Sequence, residues 1–144
     1  MPKLYLIPNF ISQDNQSSAM VSHMAVSIKG IRIFFVEEPK AARSLLKKID
    51  PQFPLTDCQY IELSEHSLLE DIQKNFKEAN GKDIAIVSEA GYPCVADPGA
   101  QLVLLAQQAG YEIVPLLGAS SIILALAASG LNGQNFAFNG YLPK

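Results

Sequence analysis

Short apolar runs alternate along the chain with stretches whose apolar residues recur every three or four positions. Five runs read as strands: residues 3–7, 31–36, 59–63, 83–88 and 111–116. Most are bounded by Gly, Pro, Asp or Asn. The runs at 31–36 and 84–87 are almost continuously apolar, as in strands covered on both faces.

The intervening segments read as helices. Residues 17–29 are rich in Ala, Met, Val and Ile and stop at Gly30. Residues 40–49 put Ala42, Leu45, Leu46 and Ile49 on one face and Lys40, Arg43 and Lys47 on the other. Ser67-Leu68-Leu69-Glu70 reads as a capping box, opening a helix with the buried stripe Leu68, Leu69, Ile72 and Phe76 and closing at Asn80-Gly81. Asp97-Pro98-Gly99 reads as a helix start, with Asp97 as N-cap and Pro98 in the first turn. That helix should run to Ala109 and end at Gly110; a last one spans about 120–129 and stops at Gly130. This alternation predicts an α/β fold: three layers, a mostly parallel five-stranded sheet with helices on both faces, and right-handed crossovers.

Composition narrows the class. With 144 residues, 49% hydrophobic and 17% charged, the chain fits one domain and excludes a disordered tail. No apolar run approaches the roughly 18 residues of a spanning helix, so no membrane partner is expected. No signal-type core with an A-x-A-like site opens the chain. Cys58 and Cys94 form neither a C-x-x-C pair nor part of a metal cluster, so two reduced thiols in the cytoplasm and no metal are expected. The net charge of -3 hides an asymmetry. Six of the eleven basic residues (Lys29, Arg32, Lys40, Arg43, Lys47, Lys48) are opposed locally only by Glu37 and Glu38, so 29–48 carries +4 and the remainder -7. A solvated helix face explains that stretch, and so does a basic ridge able to meet RNA phosphates.

In an open α/β sheet, ligands bind beyond the carboxyl ends of the strands. Three segments there are unusual: Pro8-Asn9-Phe10-Ile11-Ser12, then residues 88–99, then Leu117-Gly118-Ala119-Ser120-Ser121. The second holds two glycines and two prolines in twelve residues, a backbone-lined path suited to a ligand read by N–H and C=O groups. No G-x-G-x-x-G, P-loop, H-E-x-x-H or G-x-S-x-G is present. His23 lies in an apolar helix pattern; His66, beside Glu65, and Glu38, beside Glu37, follow strand ends and are the acid–base candidates. Nothing reads as a covalent nucleophile with its base. Chemistry here would rest on positioning reactants.

These segments carry a resemblance. Val87-Ser88-Glu89-Ala90-Gly91-Tyr92-Pro93 followed by Ala96-Asp97-Pro98-Gly99 resembles V-S-D-A-G-x-P-x-x-S-D-P-G, the signature of the tetrapyrrole methylase superfamily in its ribosomal RNA branch. Val114-Pro115-Leu116-Leu117-Gly118-Ala119-Ser120-Ser121 is similar to V-x-P-x-P-G-x-S-A. Ala127-Ala128-Ser129-Gly130-Leu131, Phe138-Asn139-Gly140-Tyr141-Leu142-Pro143 and Glu65-His66 follow the same branch in order. The resemblance implies S-adenosylmethionine held between two α/β domains, and a ribose 2′-hydroxyl of small-subunit rRNA as methyl acceptor. It points to Pro8, Ser88, Glu89, Ala90, Gly91, Tyr92, Pro93, Ala119 and Ser120 as cofactor residues, and to Lys40, Arg43, Lys47 and Lys48 as RNA contacts. It also implies a homodimer, and residues 1–144 as the first domain of a longer protein. Two loops depart from the branch. Pro8-Asn9-Phe10-Ile11-Ser12 stands where it has T-P-I-G-N, and Glu37-Glu38-Pro39-Lys40 where it has E-D-T-R. A tetrapyrrole or other small-molecule acceptor therefore stays open, as does a paralogue that binds RNA or protein without methylating it.

Overall fold

The computed structural model describes residues 1–12 and 18–141. Ser17 and Leu142-Pro143, invoked above, lie outside them. The order is β1 (Lys3–Ile7), α1 (Ser18–Ile28), β2 (Ile33–Val36), α2 (Pro39–Ile49), β3 (Gln59–Glu62), α3 (Leu69–Ala79), β4 (Ile84–Val87), α4 (Ala100–Gln108), β5 (Glu112–Pro115) and α5 (Ser121–Ala128). The five strands form one sheet in the order β3-β2-β4-β1-β5. Every pairing is parallel.

The strand order dictates the layers. The chain moves one way across the sheet from β1 to β2 to β3, then returns to β4 and on to β5. Right-handed crossovers put helices on opposite faces when the direction reverses. Accordingly α1 and α2 cover one face and α3 and α4 the other. The alternation of β2 feeds both layers: Phe34 and Val36 enter the α1/α2 core, Ile33 and Phe35 the α3/α4 core. Phe34 lies 6.0 Å from the ring of Phe53 and 5.8 Å from that of Tyr60. On α2, Ala42, Leu45, Leu46 and Ile49 are buried, as their spacing predicts.

Three local expectations are corrected. Ser67 does not cap α3: its Oγ accepts from the Ser64 N–H at 2.9 Å, and Leu68 stands at the N-cap without a side-chain bond. Leu68 and Leu69 are exposed, because the helix begins later than the pattern implied and its inward stripe starts at Ile72. Asp97 is not the N-cap of α4; the helix begins at Ala100 with Gly99 before it, leaving Asp97 and Pro98 in the preceding loop.

The end of the chain differs from the rest. Between Glu112 and Lys144 there is no charged residue. Yet α5 buries none of its side chains, and Leu117, Ile123, Leu124, Leu131, Phe136, Phe138 and Tyr141 are exposed.

Candidate functional site

Strands β1 and β4 are neighbours whose outgoing connections run to opposite sides of the sheet. A parallel sheet opens a crevice at such a switch point. The loops after β1, β4 and β5 converge there, and the sequence explains how each is held.

The loop after β4 is locked onto the loop after β1. Asn9 and Gly91 form an antiparallel bridge, with the Asn9 N–H donating to Gly91 O at 2.8 Å. Asn9 Nδ2 donates to Glu89 O at 2.8 Å and to Ser88 O at 3.2 Å. Ser88, the one buried polar residue among the described residues, donates from Oγ to Gly91 O at 2.7 Å. Tyr92 reaches the third loop, its hydroxyl donating to Leu116 O at 2.9 Å. Gly118 packs so closely on the buried Pro8 that a Cβ there would overlap the proline ring. A Cβ on Gly99 would lie 2.7 Å from Cys94 Sγ, so the close of the second loop also demands glycine. Cys94 and Ala96 adopt the left-handed conformation, with φ of 66° and 57°. Non-glycine residues there are strained by about 1–3 kcal/mol each, a device concentrated at functional loops.

The convergence presents small side chains and backbone. Ala90 and Gly118 are exposed, Gly91, Ala119 and Ser120 half-buried. Ser120 makes no capping hydrogen bond to α5. Pro8, Ser88, Glu89, Gly91, Tyr92 and Pro93 therefore share one hydrogen-bonded and packed rim with the loop that carries Ala119 and Ser120.

The acid–base candidates follow two other strands, Glu38 after β2 and His66 after β3. Glu38 is the N-cap of α2: Oε1 accepts from the Lys40 N–H at 2.9 Å and Oε2 from the Ala41 N–H at 2.6 Å. The bond from Lys40 holds its carboxyl below the usual range, with the Ala41 bond in support and desolvation opposing. His66 is 88% exposed, with Nε2 3.5 Å from Glu65 Oε1. His23 is exposed on α1. Sequence reasoning missed a third acid. Asp97, half-buried, is pushed up to about 6, first by burial and then by the charges of Glu37 and Glu89. Glu37 is tied to the rim through the Glu89 N–H, 3.4 Å from Oε2. Burial pushes the Cys94 thiol up to about 11, so it stays protonated. No group of His, Cys, Asp and Glu suited to a metal occurs among the described residues.

The basic ridge divides. Arg43 lies over the Tyr60 ring at 4.5 Å, toward the β3 edge. Lys48 lies 6.0 Å from the Phe10 ring, toward the first loop. Lys47 Nζ donates to Pro51 O at 2.8 Å. Lys48, Ser44 and Ala41 form one wall of a cavity of about 250 Å³ whose other wall is Asn9, Phe10, Ile11 and Glu89. Lys40 and Arg43 stay outside it.

A parallel five-stranded sheet between two helical layers, with backbone-rich loops at its switch point, defines the class: a three-layer, Rossmann-like α/β domain. No protein-family model matches the chain. Curated relatives do. The chain is 34% identical over 99% of its length to "Ribosomal RNA small subunit methyltransferase I" of Vibrio cholerae, covering 47% of that protein. It is 31% identical over 97% of its length to the protein of the same name from Xylella fastidiosa, covering 49%. For the one from Pseudomonas aeruginosa the figures are 32%, 81% and 40%. The chain thus belongs to the tetrapyrrole methylase family, and its homologues are ribosomal RNA small subunit methyltransferases. It spans about half the length of these relatives. No helix among the described residues is long and apolar enough to cross a membrane.

Proposed function

We propose that this domain is one half of an S-adenosylmethionine-dependent methyltransferase site that modifies a ribose 2′-hydroxyl of small-subunit rRNA in the cytoplasm. One observation carries the reading: the loops after β1, β4 and β5 are bonded into a single rim of small residues and backbone at the switch point. That composition fits a zwitterionic nucleoside read by backbone groups. The names of the relatives favour rRNA over a tetrapyrrole as acceptor.

Pro8, Ser88–Pro93, Ala119 and Ser120 would hold the cofactor. Bound S-adenosylmethionine supplies a methyl on a sulfonium, already a good leaving group. The chain's part is then to place the hydroxyl in line with that methyl and exclude water, an orientation effect that can supply several kcal/mol. Of the two acid–base candidates, Glu38 has both oxygens committed to α2. The exposed His66 and solvent are left to accept the hydroxyl proton. Lys40, Arg43, Lys47 and Lys48, all exposed, would meet phosphates along α2, with Lys48 nearest the rim.

The largely exposed, uncharged segment from Leu117 to Tyr141 supports a second domain closing over this edge. Calorimetric titration of the protein extended to the length of its relatives tests the reading. Micromolar cofactor binding is expected, together with methyl transfer to small-subunit rRNA. No heat at millimolar S-adenosylmethionine would remove it.

A further inference from the structure

We propose that Asn9 is a positioning residue that fixes the cofactor loop after β4 from the loop after β1; this rests on the cofactor reading above. From Ser88 to Gly91, three of the four carbonyls are held by Asn9: those of Ser88 and Glu89 by its amide group, that of Gly91 by its backbone N–H. Its Oδ1 meanwhile accepts from the Phe10 N–H at 2.8 Å, which fixes the rotamer of the side chain that reaches across. Only Asn combines two donors and an acceptor on so short a side chain. Asp lacks the donors, and Ala has neither.

This role accounts for the departure from T-P-I-G-N. The first loop contains no glycine and carries its amide at Asn9, directly after Pro8, where it ties the loop to the second. Glu89 and Ala90 are exposed, so the loop has little packing to define it. Without the side-chain tether its path is set by the Asn9 N–H and Ser88 Oγ on Gly91 O, by Tyr92 on Leu116 O and by the weak 3.4 Å bond to Glu37. A loop that must be ordered on binding lowers affinity by the cost of that ordering.

The test uses N9D and N9A in the protein extended to the length of its relatives. N9D retains an acceptor for Phe10 and the backbone N–H to Gly91 O but loses both side-chain bonds across the loops, so it separates the amide tether from the local turn. Each variant is expected to bind S-adenosylmethionine about tenfold more weakly, the loss of roughly 1.4 kcal/mol from hydrogen bonds of ordinary strength. KM for the cofactor should rise while kcat and KM for RNA hold. Hydrogen exchange across 88–92 should quicken in both variants, and at Phe10 in N9A alone. A merely structural role would lower the melting temperature without splitting the two KM values. Native protein that binds, alongside N9D that binds within twofold of it, overturns the assignment of Asn9 alone. Native protein that binds no cofactor overturns the cofactor reading and this assignment together.

Discussion

Helices α2 and α5 both carry long aliphatic side chains, and the molecule treats them in opposite ways. The eleven residues of α2 bury Ala42, Leu45, Leu46 and Ile49 and turn lysines outward. The eight of α5, Ser-Ile-Ile-Leu-Ala-Leu-Ala-Ala, bury nothing, and Ile123 and Leu124 are each 53% exposed. A helix that is apolar all round belongs in an interior. So α2 is completed within this domain, whereas α5 and the uncharged stretch around it have the composition of an interface.

The largest effect should break that parallel. Leu46→Ala removes a fully buried side chain and should cost about 2–5 kcal/mol. Ile123→Ala or Leu124→Ala should stay within about 0.5 kcal/mol, since each side chain is already 53% exposed and Ala favours the helix. Urea unfolding of residues 1–144 measures both. Equal losses at Leu46 and Ile123 would end the contrast. In the protein extended to the length of its relatives, the proposed second domain predicts that Ile123→Ala becomes costly.

Next comes the boundary between the two regimes. Although α5 is loose, the turn leading into it is pinned where Gly118 meets Pro8. Gly118→Ala forces a Cβ into the proline ring and should cost about 1–3 kcal/mol, as overpacking does. The double variant with Pro8→Gly should recover part of that loss, because contacting residues couple. Additive losses in denaturant unfolding would show that the two loops are not in contact.

How much of this was legible in the sequence follows from the range of each interaction. The continuous run of β2 and the face of α2 are local patterns, and both sit where the spacing puts them. The sheet proves wholly parallel. The loops that converge at the switch point were recognisable by composition and position. Their fastenings were not: the bonds of Asn9 to Ser88 and Glu89 span 79 and 80 positions, and no local pattern reports such a partner. Local signals also failed where a competing local bond existed. The Ser67 hydroxyl is taken by the Ser64 N–H. Asp97 lies in a loop whose path depends on two left-handed residues that propensity disfavours. The acid that burial perturbs, Asp97, was read as a cap for the same reason.

A smaller effect divides the carboxyl edge by charge. Glu37, Glu89 and Asp97 cluster beyond the ends of β2 and β4, while residues 113–143 carry no charged group. Asp97 folds with its pKa raised to about 6 from 3.8. The folded state thus binds the proton more tightly than the unfolded one. The contribution is fully present below the unfolded value and is lost as pH rises through the folded one. Asp97→Asn should therefore stabilise at pH 7, by about 1 kcal/mol once its exposed half is discounted. The gain should shrink toward zero near pH 4. Thermal melts across that window check the sign, and a gain that grows on acidification would refute it.

The smallest effect concerns how the two helices begin. Helix α2 starts on a carboxylate that accepts from two of its free N–H groups, whereas Ser120 at the head of α5 makes no such bond. Unsatisfied first-turn donors favour an anionic cap. Glu38→Ala should lower the melting temperature at pH 7, and Ser120→Ala should leave it unchanged. The pH dependence has the opposite sign to that of Asp97. Because the Glu38 carboxyl is held below its ordinary value by the Lys40 N–H, its contribution is present above the unfolded carboxylate range. It is lost as pH falls through the lowered folded value. Native protein and Glu38→Ala should thus converge on acidification, while native protein and Ser120→Ala coincide at every pH. A Ser120→Ala penalty as large as that at Glu38 would mean that α5 is already capped and ordered by this domain alone, without a covering partner.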